Sequence, residues 1–459
     1  MQKKIITYLL IFYTIFIVYN TLIPFQFDYG FKDLPKLIDR IYWTEIFTHT
    51  RHLSLTDIVG NIILFMPFGF LLYMFLNYLR KKHLILKCLI AGAVLSFCIE
   101  FTQLFIAERD TALHDLLNNA LGSWIGAVGA AIYSSKISSL ARKIFYDLFN
   151  NKPFALIIAI IAGAQSISAI TPFTVTINFS GIKRSLKAIN FIPFDYQSVG
   201  KLFLHAPNNN DLIPFDFTLF IEDFLFWMAV GFIVMLCYQL YWKNSKKIKI
   251  LMGVAPLVYF STLEFMQLFI VSRTTDINDV LSGYGGIIAG YLIFYLVHIY
   301  LKKPIIKENI NILKTPLIIY AIFILFAGLR PFDWTLSPEV LARDLTIVNL
   351  IPFFAYFRTH SLWNIFDLAN SILYFMPISL FWTFKLRNKG ASFLFIYLLT
   401  TCSGLAIGFG IELSQVFSPT RIAEITDVLS YGLGGALGTF LIYYFEREIK
   451  PILSSTQKH

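Results

Sequence analysis

Residues 100–126 read EFTQLFIAERDTALHDLLNNALGSWIG, and the same spaced pattern occurs twice more along the chain. Each copy follows E-x2-Q-x5-R-x5-D-x6-G-x3-G without a gap. The copies are Glu100, Gln103, Arg109, Asp115, Gly122 and Gly126; Glu264, Gln267, Arg273, Asp279, Gly286 and Gly290; and Glu412, Gln415, Arg421, Asp427, Gly434 and Gly438. Three ungapped copies of one pattern indicate an internal repeat.

The chain around these motifs has the composition of a membrane protein. It contains 459 residues, of which 57% are hydrophobic and 14% are charged, whereas a soluble domain carries roughly 25% charged residues. A membrane-spanning helix needs about 20 apolar residues. Twelve stretches meet this need, at about 5–25, 55–79, 85–107, 115–134, 153–171, 216–241, 249–271, 279–300, 316–332, 364–384, 391–416 and 425–445. The sequence therefore predicts an all-α polytopic membrane protein.

Weaker echoes divide the chain into three units, at 1–150, 151–312 and 313–459. A Pro-Phe pair ends the first predicted helix of each unit, and an N-x-I-P-F loop precedes the second helix in units two and three. Each unit has four predicted spans, so all three insert in the same direction. The prediction is three parallel four-helix repeats with about twelve transmembrane helices.

The charges indicate the orientation in the membrane. Seven polar segments, near 3–4, 80–87, 136–152, 243–249, 302–314, 385–389 and 446–458, hold 24 of the 38 Lys and Arg residues but only four of the 28 acidic residues. The positive-inside rule places these segments in the cytoplasm, so both termini are predicted to be cytoplasmic. The net charge of +10 is then a topology signal, and nucleic acid is not a predicted partner.

The spacing of the motif predicts a polar cluster at the outer end of each unit. Glu100 lies nine residues before Arg109, or roughly 13 Å along a helix, and a carboxylate at that depth should face protein or water. The Arg falls in a short outer loop, and the Asp falls near the start of the fourth helix. A Glu–Arg–Asp cluster could fasten the third and fourth helices together, or it could line an outward-facing polar cleft. Both interpretations remain open.

The three units differ in the polar residues around the motif. Besides the motif it has Asp57 and Asn61 on the second helix and Asn119 on the fourth, where units two and three have Gly283 and Tyr431. Unit one is therefore favoured if one unit carries the function. The candidate site residues are Asp57, Asn61, Glu100, Gln103, Arg109, Asp115 and Asn119, with Glu264, Gln267, Arg273, Asp279, Glu412, Gln415, Arg421 and Asp427 as counterparts.

At these residues the chain resembles the VanZ-like family of membrane proteins. The stretches that carry the resemblance are Asp57-x3-Asn61-x3-Phe65-Met66-Pro67-Phe68-Gly69, Glu100-x2-Gln103 and Arg109-x5-Asp115-x3-Asn119-x2-Gly122. All three units are similar to the single unit that family members usually have. The resemblance implies a multi-pass protein of a bacterial inner or plasma membrane, part of the cell envelope. Its name-giving member is associated with resistance to the glycopeptide teicoplanin.

Three classes of function fit the sequence. The favoured hypothesis is a non-enzymatic protein of the lipid bilayer that binds an amphiphile, such as a lipid-linked envelope precursor or a lipoglycopeptide, in the outward cleft. A membrane enzyme acting on lipid-linked precursors and a transporter are the alternatives. Hydrolase, zinc-protease and nucleotide-binding motifs are absent from the sequence, and His49, His52 and His114 lack the spacing of a known zinc site. No cofactor and no metal are predicted.

The loop at 26–54 carries a further prediction. Its apolar residues recur at helical spacing, which predicts an amphipathic helix lying at the outer membrane interface. These residues are Leu34, Leu37, Ile38, Ile41 and Phe47.

Overall fold

The computed structural model describes residues 2–22, 27–38, 55–106, 113–170, 183, 185–194, 197–198, 212–213, 215–270, 273–300, 313–344, 346, 349, 351–353 and 362–449. These residues are almost entirely helical, as the sequence predicts. Two paired strands of two residues, β1 (Gln197–Ser198) and β2 (Leu212–Ile213), are the exception within the described ranges.

Every predicted span coincides with a helix. Repeat one contains α1 (Gln2–Leu22), the short α2 (Leu34–Ile38), α3 (Leu55–Tyr78), α4 (Leu84–Gln103) and α5 (Leu113–Tyr146). Repeat two contains α6 (Pro153–Ile170), α7 (Phe217–Cys237), α8 (Lys246–Gln267) and α9 (Ile277–Tyr295). Repeat three contains α10 (Lys314–Leu329), the short α11 (Pro338–Asp344), α12 (Leu362–Arg387), α13 (Phe393–Gln415) and α14 (Ile425–Tyr444).

Seven of the described helices are long and apolar enough to cross a membrane. They cover Ile58–Tyr78, Leu84–Gln103, Phe217–Trp242, Lys246–Gln267, Ile277–His298, Phe393–Gln415 and Ile425–Arg447. Shorter apolar helices at Ile5–Tyr19, Pro153–Ala169 and Lys314–Leu329 fall on the first predicted span of each repeat. The chain is therefore a multi-pass membrane protein, and the count of twelve crossings stays a prediction.

The chain forms two compact units. The first contains Met1–Asn190, Ser198–Asp211 and Leu263–Thr275. Within it α3 packs against both α5 and α1, and α4 packs against α5. Its core contains Ile17, Phe65, Phe68 and Ile99, which join the first three long helices of repeat one.

The second compact unit contains Phe191–Gln197, Leu212–Thr262 and Asp276–His459. Within it α7 packs against α9 and α10, while α14 packs against α12 and α13. Its largest core cluster includes Phe323, Phe375, Ile411 and Tyr431, with Phe226 against its edge. Helices of repeats two and three thus share one apolar core.

The paired glycines of the motif bring helix four close to helix two in every repeat. Methyl groups added at five of these six glycines would overlap backbone carbonyls of the second helix. The overlaps join Gly122 with Ile62, Gly126 with Met66, Gly286 with Phe224, Gly290 with Met228 and Gly434 with Ile372. At Gly438 the methyl group would overlap the Ser379 hydroxyl and lie against the Met376 carbonyl of the same helix. Because these contacts lie at equivalent positions of the second helix, the same close crossing of helices two and four recurs in all three repeats.

The predicted interfacial helix is present in part. A 3-10 turn at Phe31–Asp33 leads into α2, and Leu37 is buried against Leu104 and Phe105. This apolar contact ties the helix to the end of α4. Ile41 and Phe47 lie outside the described residues.

Candidate functional site

The motif glutamates are buried within the helical bundles. Glu100 on α4, Glu264 on α8 and Glu412 on α13 are each 6–7% exposed. A charged side chain facing lipid is costly, and carboxylates in membrane spans usually face protein or water. The three carboxyl groups are therefore enclosed by protein, and their depth in the membrane stays a prediction.

The motif glutamine holds the end of helix one. The Gln103 side-chain amide donates to the carbonyl of Thr21 at 2.7 Å, and the Gln415 amide donates to the carbonyl of Gly328 at 2.7 Å. Thr21 and Gly328 each stand three residues before the Pro-Phe pair of their repeat. Because the last carbonyls of a helix lack intrahelical donors, the glutamine satisfies a group that would otherwise stay unpaired.

The motif arginine reaches the same place in two repeats. The Arg273 guanidinium donates to the carbonyl of Ser168 at 3.2 Å, and Arg421 Nε donates to the carbonyl of Arg330 at 3.3 Å. Both acceptors lie at the end of their repeat's first helix, where the helix dipole favours positive charge. Arg109 lies outside the described residues.

The motif aspartate lies in the first turn of helix four in each repeat. In repeat one the Asn61 amide donates to Asp115 Oδ1, and His114 Nε2 lies 3.4 Å from the same oxygen. In repeat two the residue that caps the helix is Asp276, whose side chain accepts the N–H of Asn278. The motif aspartate of repeat two, Asp279, therefore lies three residues after the N-cap residue of the helix. The Asp57 side chain lies outside the described part of the chain.

Glu412 links helices three and four of repeat three. Its Oε2 accepts the backbone N–H of Glu424, the N-cap of α14, at 2.8 Å. Asp427 and Arg421 are close enough for their charges to act on Glu412. The structure thus brings Glu412, Arg421 and Asp427 to one end of the bundle, where Glu412 and Arg421 form hydrogen bonds to neighbouring segments.

A second contact recurs between the third and fourth helices, and its residues differ in each repeat. It joins the position four residues before the motif glutamate to the position four residues after the motif aspartate. Asn119 Nδ2 donates to Ser96 Oγ at 2.9 Å in repeat one. A methyl group at Gly283 would overlap the Phe260 ring in repeat two, and one at Gly408 would meet Tyr431 in repeat three. The pair is polar in repeat one and apolar in the other two.

The sequence patterns do not mark two tyrosines that complete the bundles. Tyr13 Oη donates to the carbonyl of Leu64 at 2.9 Å, and Tyr320 Oη donates to the carbonyl of Tyr374 at 3.1 Å. Each acceptor stands three residues before a proline inside the second helix, Pro67 or Pro377. The missing N–H of the proline would have bonded the carbonyl just before each acceptor, that of Ile63 or Leu373. The tyrosine hydroxyl therefore donates to a carbonyl next to the break in the helix.

Repeat two lacks both members of this arrangement. It has Ile161 at the position of the tyrosine and Ala229 at the position of the proline. The aligned repeats contain this signal, because the tyrosine and the proline are present together in repeats one and three and are both missing from repeat two.

The N-x-I-P-F loops dock onto the residue before the motif aspartate. The Phe194 N–H donates to Asn278 Oδ1 at 3.0 Å, and the Phe353 N–H donates to Thr426 Oγ1 at 2.8 Å. Both phenylalanines have a left-handed backbone, with φ of 61° and 62°. Such a conformation is uncommon away from glycine, so the docking contact fixes a specific loop shape in repeats two and three.

Exposed aromatic side chains stand beside the motif at equivalent places in repeats one and three. Phe27 and Trp334 each follow the proline at the end of helix one by three residues, and they are 54% and 56% exposed. The next residue in each repeat, Asp28 or Thr335, donates its N–H to the carbonyl of a phenylalanine, Phe105 at 2.9 Å or Phe417 at 2.7 Å. Both acceptors lie five residues after the motif glutamate, so this backbone contact places the aromatic residue next to the polar end.

Further charges surround the motif end of repeat three. Arg330 pairs with Glu222 at 3.2 Å and with Asp216 at 3.4 Å, which links helix two of repeat two to helix one of repeat three. Asp333 accepts hydrogen bonds from Ser418 and Thr420, both at 2.6 Å. Partial burial alone would raise the pKa of Asp333, but these hydrogen bonds together hold it below its usual value.

Side chains that could ligate a metal ion do not cluster in the part of the chain that the structure describes. Within it, no group of three or more His, Cys, Asp and Glu side chains is placed to hold a metal ion. What the described site offers is buried carboxylates, arginines held at helix ends and exposed aromatic rings. This set suits recognition of polar and apolar groups together.

Comparison with known proteins identifies the repeated unit. Neither the curated proteins nor the solved structures contain a match to this chain. The family model described as VanZ/LLP1 matches residues 10–134, 154–298 and 317–446. The three matches cover most of the chain and correspond to three tandem units. The chain therefore belongs to the VanZ/LLP1 family and is a multi-pass membrane protein built from three VanZ-like repeats.

Proposed function

We propose that the protein binds amphiphilic envelope molecules at its outward-facing polar end and contributes to resistance to teicoplanin. The ligand class is a lipid-linked envelope precursor or a lipoglycopeptide. The observation that carries the proposal is the equivalent placement of Phe27 and Trp334, two exposed aromatic residues beside the buried polar motif. An amphiphile offers an apolar tail to the aromatic rings and a polar headgroup to the motif.

We distinguish motif residues whose hydrogen bonds fasten helices from motif residues proposed to contact a ligand. Gln103 and Gln415 donate to helix ends, as do Arg273 and Arg421. These residues serve the fold, which supports the interpretation that part of the motif fastens helices. The carboxylates and the neighbouring aromatic side chains are then the groups proposed to contact a ligand.

Repeat one is the best candidate for this contact. Its outer end combines Glu100 and Asp115 with the amide of Asn61 and the imidazole of His114. Phe31 lies against Phe105 with 5.1 Å between ring centroids, and it is one of the most exposed aromatic side chains in the described chain. Hydrogen-bonding groups therefore lie next to an apolar surface.

The test is antibiotic protection in a susceptible host with a single membrane. Cells that express the protein are compared with cells that express Glu100→Gln, and with a matched control, Glu446→Gln, at the opposite end of repeat three. We expect the wild type and the control to raise the inhibitory concentration of teicoplanin, with little effect for vancomycin, and Glu100→Gln to lose the protection. Membrane levels of all three proteins are measured by immunoblot.

Two outcomes would count against the proposal. If the wild-type protein gives no protection, the inferred role in resistance is wrong. If Glu100→Gln protects as well as the wild type at equal membrane levels, the polar end of repeat one is not the binding site.

A further inference from the structure

Three lysines converge at the end of repeat three that lies opposite the polar motif. Lys314 begins α10, Lys385 lies in the last turn of α12, and Lys389 lies in the turn that leads to α13. α10 packs against α12, and the hydrogen bond from Tyr320 to the carbonyl of Tyr374 joins them. Lys389 follows Lys385 by four residues, and Lys385 is close enough to the other two lysines for their positive charges to repel it. We call Lys314, Lys385 and Lys389 the lysine cluster.

The nearby carboxylate already has a partner. Glu446 accepts from the Arg387 guanidinium at 3.1 Å. Arg387 also donates to the carbonyl of Ala391 at 3.2 Å and lies 4.1 Å from the centroid of the Phe393 ring. This ion pair is neutral overall, so the lysine cluster keeps a surplus of three positive charges.

Two features prepare this end of the bundle for an anion. The Lys385 ammonium lies 4.4 Å from the centroid of the Trp382 ring, and a cation over an aromatic face is held in place while it keeps its charge. The turn after Lys389 enters α13, whose N-cap Ser392 accepts the N–H of Phe395. The N-terminus of a helix carries a partial positive charge and favours anions.

We propose that the lysine cluster binds the phosphate of an anionic lipid headgroup in the leaflet opposite the polar motif. Lys314 and Lys389 are exposed and can reach a headgroup at the membrane surface. Basic residues between transmembrane helices recognise anionic headgroups in this way. The site is separate from the proposed amphiphile site, because it lies at the other end of α10 and uses none of the motif residues.

Cytoplasmic loops of membrane proteins are enriched in lysine whether or not those lysines bind a lipid. A control set of lysines separates the two explanations. Lys246, Lys247 and Lys249 are exposed and lie at the start of a single helix, α8, in the same compact unit. Replacing either set with Gln removes the same charge, but only the lysine cluster gathers residues from separate helices.

The experiment measures thermal unfolding of the full-length protein in nanodiscs. The lipid is phosphatidylcholine alone or phosphatidylcholine with phosphatidylglycerol. The proteins are the wild type, the triple variant Lys314→Gln/Lys385→Gln/Lys389→Gln, and the control Lys246→Gln/Lys247→Gln/Lys249→Gln. A single variant of the exposed turn residue, Lys389→Glu, is included in case the triple variant does not fold. A last arm adds inorganic phosphate to the wild type in phosphatidylcholine.

We expect phosphatidylglycerol to raise the unfolding temperature of the wild type and of the control. The rise should be lost in the triple variant and reduced in Lys389→Glu. Equal rises in the triple variant and the control would overturn the proposal, because stabilisation by phosphatidylglycerol would then not depend on the lysine cluster. A rise reproduced by inorganic phosphate in phosphatidylcholine would overturn the assignment to a lipid.

Discussion

The last carbonyl groups of a helix need hydrogen-bond donors from elsewhere in the molecule. Within a membrane protein these donors are scarce, because little water reaches the backbone. Gln103 and Gln415 supply a donor to helix one from the third helix of their repeat. Arg421 adds a second donor in repeat three, and Arg273 donates to the end of helix one in repeat two. At the scale of single residues, two of the six motif positions thus serve to finish one helix end.

This role predicts a measurable loss of stability when Gln415 is replaced by Leu. The side chain keeps its approximate size, but the carbonyl of Gly328 loses its donor. Leaving such a buried group unsatisfied costs about 1–3 kcal/mol, which should appear in the free energy of unfolding in detergent. Ser414→Ala is the matched control, because the Ser414 hydroxyl donates to Gly410 on its own helix. Equal stability of the two variants would contradict the assigned role.

The third and fourth helices meet in one antiparallel arrangement in all three repeats, but their contact residues differ. Large and small residues exchange sides between repeats two and three. Phe260 faces Gly283, whereas Gly408 faces Tyr431. Repeat one fills the same place with the hydrogen-bonded pair of Ser96 and Asn119. At the scale of elements, a large residue at one of the two positions is matched by a small residue at the other, so that the contact stays filled.

This exchange predicts strong coupling between Phe260 and Gly283. Gly283→Asn alone overpacks the contact, at a cost of typically 1–3 kcal/mol, and Phe260→Ser alone leaves a cavity that costs about 3–5 kcal/mol. The double variant recreates the polar pair of repeat one, so it should lose less stability than the sum of the single variants, as measured by unfolding in detergent. Gly283→Asn combined with Phe265→Ser is the control, because Phe265 is exposed on the same helix. Additive losses in both double variants would refute the coupling.

The elements themselves were predictable from the sequence, while their hydrogen-bond partners were not. Apolar length alone predicts helices at the observed places, and the paired glycines predict a close helix crossing. The acceptor of Gln103 is a backbone carbonyl of α1, 82 residues away, and backbone carbonyls leave no mark in the sequence. Tyr13 and Tyr320 could have been found, since each accompanies a helix proline and the pair is missing from repeat two. The site residues as ligand contacts remain a prediction.

At the scale of the whole molecule, three units of one family follow each other in the same chain. Parallel insertion requires an even number of crossings in each unit. Seven helices are long and apolar enough to cross, and the shorter apolar helices α1, α6 and α10 supply the first predicted crossing of each repeat. The remaining two of the twelve predicted crossings fall on α5 and α12. If the short helices failed to cross, successive repeats could not all face the same way. The charge asymmetry of the loops is the independent argument that they do cross.

This argument predicts which single cysteines an impermeant thiol reagent can reach on intact cells. The four native cysteines, Cys88, Cys98, Cys237 and Cys402, are first replaced by Ala. Lys32→Cys, before α2, and Glu339→Cys, in α11, should then be labelled from outside, because both follow the first helix of their repeat. Lys81→Cys and Lys389→Cys should be labelled only after permeabilisation, because they lie in basic segments. Labelling of Lys32→Cys and Glu339→Cys from opposite sides would mean that repeats one and three are inverted relative to each other, since an odd number of crossings would separate them.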